Sequence, residues 1–275
     1  MAERHEDLSR HDEMAEAARR VLLEAACILR QEGVEFVLIG GNATESLTRR
    51  GREPYPGTID VDIVIAPVIV RDFQAFWRLR GVLMHHGYRD VQTKCSFRRT
   101  VPMPGGAVQV DLDLLTPPVP GRELAPACAF AVKGAELAMD FCEWVEVAGV
   151  TPDGRRQAVR VRVASAPALL VMKAHAMAER PTQKNKDAYD IYFCLKHCPG
   201  SVEKVADAFR PLRGRPVVEE ALSLLEEAFA TVGSPGPRMA ARESIPADEE
   251  DEQRIRRDAY EHVSQLLGIL REEAD

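Results

Sequence analysis

Four aspartates occupy positions where a β-strand would ordinarily carry core residues. The segment Ile59-Asp60-Val61-Asp62-Ile63-Val64-Ile65 is apolar apart from two acids. Side chains alternate along a strand, so Asp60 and Asp62 project from the same face. Leaving two such carboxylates ionised in an apolar setting costs several kcal/mol unless a cation or hydrogen-bond donors compensate. A divalent metal does so, and oxygen-only ligands favour Mg2+ or Mn2+. The segment Val108-Gln109-Val110-Asp111-Leu112-Asp113-Leu114-Leu115 repeats the pattern. If the two strands lie side by side, three or four carboxylates converge, as metal-assisted phosphoryl or nucleotidyl transfer requires. A single Asp-x-Asp pair is common at a solvated strand edge. Two pairs on separate apolar strands, behind a Gly-Gly turn, shift the balance to a metal site.

That turn is Gly40-Gly41-Asn42, between an apolar strand at 34–39 and a short helix at 43–49. Glycines let backbone approach a phosphate, and a helix N-terminus offers free N–H groups and a positive dipole. Asn42 is expected to cap the helix or contact the nucleotide. The glycine and lysine spacings of a Walker A loop or a Rossmann fingerprint are absent.

The periodicity predicts the elements that position these groups. A helix over 6–32 carries Ala18, Val21, Leu22, Ala25 and Ala26 on one side. Strands are expected at 58–66, 96–101 and 108–115. A helix over 70–86 carries Phe76 and Trp77 as core, and a hairpin spans 144–150 and 157–163. Helices follow at 167–178, 184–196, 202–209 and 218–230, then a linker at about 233–250 and a charged amphipathic helix at 252–272. The fold class expected is α/β (α+β): a small mixed sheet with flanking helices over 1–163, then a helical domain over 164–275.

Composition narrows the function. The chain has 275 residues, 45% hydrophobic, and a net charge of −7. That acidity argues against a general nucleic-acid coat, which needs surplus Lys and Arg. The longest apolar runs are too short or too interrupted for a membrane span. Six scattered cysteines, with no close-paired zinc spacing, read as reduced thiols in the cytoplasm. Cys194 and Cys198 read as buried helix cysteines.

Together, Gly40-Gly41-Asn42, the following helix, Thr58-Ile59-Asp60-Val61-Asp62 and an aspartate on a later strand resemble the DNA polymerase β-like nucleotidyltransferase superfamily. The second half narrows this. Lys173 is followed by Arg180, then by Lys186-Asp187-Ala188-Tyr189-Asp190, a pattern similar to the AbiEii and MenT family of nucleotidyltransferase toxins. The resemblance covers about residues 34–196. It implies a divalent metal held by Asp60, Asp62 and a third acid, either Asp111 or Asp113. It also implies a nucleoside triphosphate contacted by the glycine turn and by Lys173, Arg180, Lys186, Asp187 and Asp190. Read physically, the second-half residues share helix faces, so solvated surface ion pairs are the plain alternative. One departure stands out: Pro56 and Gly57 fall where relatives often carry an arginine before the threonine.

The function expected is transfer of a nucleoside monophosphate from an NTP to an acceptor hydroxyl. The acceptor would be RNA, such as tRNA, or a protein, with a cognate antitoxin as partner. The alternatives are an antibiotic-type small-molecule nucleotidyltransferase and a non-catalytic nucleotide sensor. An RNA acceptor would need a local basic patch. The candidates are Arg49, Arg50, Arg52, Lys94, Arg98, Arg99, Lys173, Arg180, Lys184 and Lys186, expected mostly to face the cleft of Asp60 and Asp62.

Overall fold

The computed structural model describes residues 2–48, 55, 57–91, 96–118, 130–179 and 185–272. The elements run α1 (Ala2–Gln31), β1 (Phe36–Leu38), α2 (Gly40–Thr48), β2 (Asp60–Ile65), α3 (Pro67–Arg71), α4 (Phe73–His85), β3 (Arg89–Val91), β4 (Ser96–Met103), β5 (Gly106–Thr116) and β6 (Phe130–Ala131). After these come α5 (Ala135–Asp140), β7 (Cys142–Val150), β8 (Arg156–Ala164), α6 (Ala166–Glu179), α7 (Asn185–His197), α8 (Ser201–Phe209), α9 (Pro216–Ala228), α10 (Pro235–Glu243) and α11 (Glu249–Glu272). The chain divides into two compact units, Met1–Ser46 with Pro56–Ala164, and Leu47–Tyr55 with Ser165–Asp275.

The first unit is built on one mixed sheet, ordered β3-β4-β5-β2-β1-β8-β7, with β6 paired to β5. At its centre β2 runs parallel to β5 and antiparallel to β1. The periodic face of α1 does what its spacing predicts: Ala18, Val21, Leu22, Ala25 and Ala26 are all buried. On the sheet, Val61, Ile63, Leu112 and Leu114 are fully buried, one face of each central strand's alternation.

The helix expected over 70–86 breaks in two. Asp72 ends α3 and caps α4, its carboxylate accepting from the Gln74 and Ala75 amides at 2.9 and 3.1 Å. Phe76, Leu79 and Leu83 form the buried stripe of α4. Trp77 does not join Phe76 in the core. It is 43% exposed, edge-on to the exposed Phe73 and under the Arg80 guanidinium. Adjacent helix positions diverge by about 100°, so only one of the two can face the sheet.

The second unit is helical. Its core includes Phe209, Leu225, Phe229, Val263 and Leu266, all nearly or fully buried. The stretch read as a linker, about 233–250, instead contains α10, whose Ala240 and Ala241 are fully buried. Proline and glycine misled the reading, because Pro235 and Pro237 sit in the first turn, where a missing N–H costs nothing. Cys194 and Cys198 lie in this unit's core with their sulfurs 3.3 Å apart.

Candidate active site

Register decides the site. In the parallel β2/β5 pair, Asp60 stands opposite Asp111 and Asp62 opposite Asp113. Neighbouring strands lie about 4.8 Å apart, so all four aspartates meet on one face of the sheet. Each is half-buried, and each is flanked on its own strand by residues pointing into the core.

Each carboxylate has a particular neighbour. Thr58 donates its hydroxyl to Asp60 Oδ1 at 2.5 Å, and Ser96 donates to Asp113 Oδ1. Arg98 lies opposite Asp111 in the β4/β5 ladder and grips it with both arms, Nε to Oδ1 at 2.7 Å and Nη2 to Oδ2 at 2.9 Å. That fork, with the charge of Asp111, pushes the Arg98 guanidinium's pKa up. Among the described residues no three His, Cys, Asp or Glu side chains already converge as a metal cage.

Gly40 leaves room for Asp62. Its φ is +66°, and a Cβ there would sit 2.0 Å from Asp62 Oδ2 and 3.0 Å from Asp62 Cβ. Both the backbone conformation and the close approach exclude a side chain. Gly40 opens α2, and Gly41 is its second, buried residue. Asn42 is therefore inside the helix and does not cap it. Its Nδ2 donates to the Asp60 carbonyl at 2.8 Å, tying the helix start to the acid strand. Beside it, the Ile39 amide donates to the Asp62 carbonyl at 3.1 Å.

The second unit carries its own acidic cluster. Lys173, on α6, reaches Asp187 Oδ1 at 2.9 Å and Asp190 Oδ2 at 2.7 Å, both on α7. The surface ion-pair alternative does not hold: Asp187 and Asp190 are buried, and the Lys173 side chain is only 14% exposed. Burial alone would push the Lys173 pKa down, but the two carboxylates outweigh it and hold the ammonium well above its usual range. Tyr55 donates to the other Asp190 oxygen at 2.6 Å. Lys186 lies over the Tyr55 ring, 5.9 Å from its centroid. Asp187 Oδ2 is buried with no hydrogen-bond partner among the described residues.

Only part of the basic patch expected from the sequence falls on described residues. Arg49, Arg50, Arg52, Lys94, Arg180 and Lys184 fall outside the described residues. Arg98 and Arg99 point to opposite faces of β4, as consecutive strand residues must. Arg98 faces the aspartates. Arg99 pairs with Glu24 of α1 at 2.9 and 3.2 Å on the other side of the sheet. Lys173 is engaged internally and offers no open charge. Thr58 belongs to the sequence motif without a role of its own there, and residue order points neither to Ser96 and Tyr55 nor to Arg98 as a partner of an acid. The pairings of Ser96 and Arg98 become visible only when β4 is laid against β5, because each depends on register.

Residues 22–262 match the family described as nucleotidyl transferase AbiEii toxin, type IV toxin–antitoxin system. The solution structure of the antibiotic-resistance factor ANT(2'')-Ia is similar at 14% identity and a TM-score of 0.40. That alignment covers 75% of this chain and 96% of that one. No curated protein matches in sequence. Among the described residues no helix is long and apolar enough to cross a membrane. With the family match spanning nearly the whole chain, and with paired aspartates beside a glycine turn on its central strands, the protein belongs to the AbiEii family of nucleotidyltransferase toxins.

Proposed function

We propose that this nucleotidyltransferase uses Asp60, Asp62 and Asp111 to hold Mg2+ or Mn2+, and moves a nucleoside monophosphate from an NTP to a hydroxyl of an RNA in the cytoplasm. One observation carries the reading: the in-register pairing of β2 and β5, which collects four aspartates on one face. The donor set suits a hard divalent cation, since it offers carboxylate oxygens alone. Gly40 supports the fit, because only a missing side chain leaves space for the Asp62 carboxylate beside the start of α2. When bound, the metal neutralises triphosphate charge and favours departure of pyrophosphate.

The remaining steps belong to the chain itself. The first turn of α2, free of acidic residues, presents backbone N–H groups suited to phosphate oxygens. Thr58 orients Asp60, and Asn42 anchors the strand that carries it. Asp113 takes the proton of the attacking hydroxyl, with Ser96 holding its other oxygen. In the second unit, Lys173 and Tyr55 fix Asp190, and Asp187 Oδ2, which has no hydrogen-bond partner among the described residues, is an acceptor suited to a ribose hydroxyl. Lys186, with Arg180, supplies cations for phosphate. A toxin of this kind works opposite a cognate antitoxin.

The test is incubation with each labelled nucleoside triphosphate, Mg2+ and total RNA or total protein. Label on RNA supports the proposal. Label on protein moves the acceptor to that class, and label only on small-molecule antibiotics added in parallel makes it an antibiotic-type enzyme. Nucleotide binding without transfer would overturn the catalytic reading.

A further inference from the structure

Among the described residues the acid face carries a cation, Arg98, and it holds a carboxylate that the proposed metal needs. Both oxygens of Asp111 are taken by the Arg98 fork. The other donors on this face differ in kind. Thr58 and Ser96 are neutral hydroxyls, each on one oxygen of its aspartate, and such a contact persists when the other oxygen turns to a cation. A guanidinium coexists less readily, because its full charge repels an arriving divalent ion and its two arms take one lone-pair position on each Asp111 oxygen.

Arg98 is also placed to let go. Its side chain is 41% exposed, and Asp111 is 27% exposed. The neighbouring pair shows what a permanent lock looks like on the same strand: Arg99 is 18% exposed and Glu24 only 9%. The Arg99 guanidinium also lies over the ring of Tyr88, which is itself buried. An exposed ion pair contributes little to stability and breaks at little cost, whereas a buried one is expensive to break.

We propose that Arg98 is an internal counter-ion standing in for a divalent cation: it holds Asp111 in the metal-free enzyme and must be displaced before the metal loads. Arg98 is thus a positioning residue that sets metal affinity. The inference rests on the assignment of Asp60, Asp62 and Asp111 as metal ligands.

The experiment is titration of the full-length protein with Mn2+ alone, followed by calorimetry and by the loss of the free-ion electron paramagnetic resonance signal. Four proteins are compared: the unaltered chain, Arg98→Gln, Arg98→Lys and Asp62→Asn. Removing a unit positive charge beside the site should tighten Mn2+ binding by about tenfold or more in Arg98→Gln. Arg98→Lys, which keeps the charge and loses the fork, should fall between. Asp62→Asn should lose the site. Equal or weaker Mn2+ binding by Arg98→Gln, with Asp62→Asn still deficient, overturns the counter-ion role and leaves the metal assignment standing. Unchanged binding by Asp62→Asn overturns the metal assignment and this inference with it. As a check on folding, Mn2+ should raise the melting temperature of Arg98→Gln more than that of the unaltered chain; a purely structural arginine would lower the baseline and leave that increment unchanged.

Discussion

The two acidic clusters are made of the same residue type and end in different surroundings. On β2 and β5, four half-buried aspartates lie together, and among the described residues Thr58, Ser96 and the exposed Arg98 are partners of three of them. Between α6 and α7, two buried aspartates share a lysine and a tyrosine hydroxyl. The helical cluster is close to electrically complete, with two carboxylates around an ammonium held firmly protonated. In the strand cluster the acids are half-buried, and Asp111 faces an arginine that is itself 41% exposed. Burial, not residue type, separates the two clusters. The difference arises from element type. A strand repeats every two residues and stacks like beside like across a parallel pair, whereas helix positions three apart converge on one point of a neighbouring helix.

The comparison can be broken most forcefully through function. Asp62→Ala should reduce nucleotide transfer to background while leaving the melting temperature unchanged or higher, because removing one of four clustered carboxylates relieves repulsion. Near-normal transfer by the folded variant would refute the assignment. In the helical cluster stability should fall instead. Lys173→Met leaves two buried carboxylates uncompensated, at a cost of about 3–5 kcal/mol. Denaturant unfolding measures it, and a loss below about 1 kcal/mol would show that the cluster is not closed by this lysine.

A finer division lies within β4. Arg99→Ala strands Glu24 and should cost roughly 3 kcal/mol, whereas Arg98→Ala should leave the unfolding midpoint almost unmoved. Equal losses at both positions would contradict the contrast between a lock and a releasable contact. Gly40→Ala comes next, with about 1–2 kcal/mol from the left-handed backbone and, more tellingly, loss of transfer as Asp62 is displaced. A Gly40→Ala enzyme with full transfer would show that Asp62 need not occupy that cradle.

The smallest effect concerns pH. Asp258 is compensated in the manner of the helical cluster, accepting from Tyr192 at 2.6 Å and pairing with Lys196 at 2.8 Å and His262 at 3.2 Å. The hydrogen bond to Asp258 raises the His262 pKa against the opposing effect of burial. A raised folded value means that this stabilisation is complete below the unfolded value of about 6.5 and is lost as pH rises through the folded one. His262→Gln should therefore flatten the decline of the melting temperature above neutrality. An unaltered pH profile would show that His262 does not contribute there.

Much of the local geometry was legible from residue order. Alternation alone placed Asp60 with Asp62 and Asp111 with Asp113, since the period of a strand is a property of the backbone. The apolar spacing of α1 named its buried face, and the lysine–aspartate pattern of 173–190 named the side chains that come together in the helical unit. Boundaries were less legible where one residue type serves two purposes. Asp72 ends one helix and caps the next, Asn42 lies within its helix, and the proline-rich start of α10 resembles a linker. What only the tertiary structure decided is register and partner. Nothing in residue order says that β5 lies parallel to β2 with Asp111 level with Asp60, or that Arg98 grips an aspartate while Arg99 grips a glutamate behind the sheet. Local sequence sets which way a side chain points, because that depends on one residue's own backbone. What it meets there depends on strands brought together from elsewhere in the chain, and that is settled by packing the whole core at once.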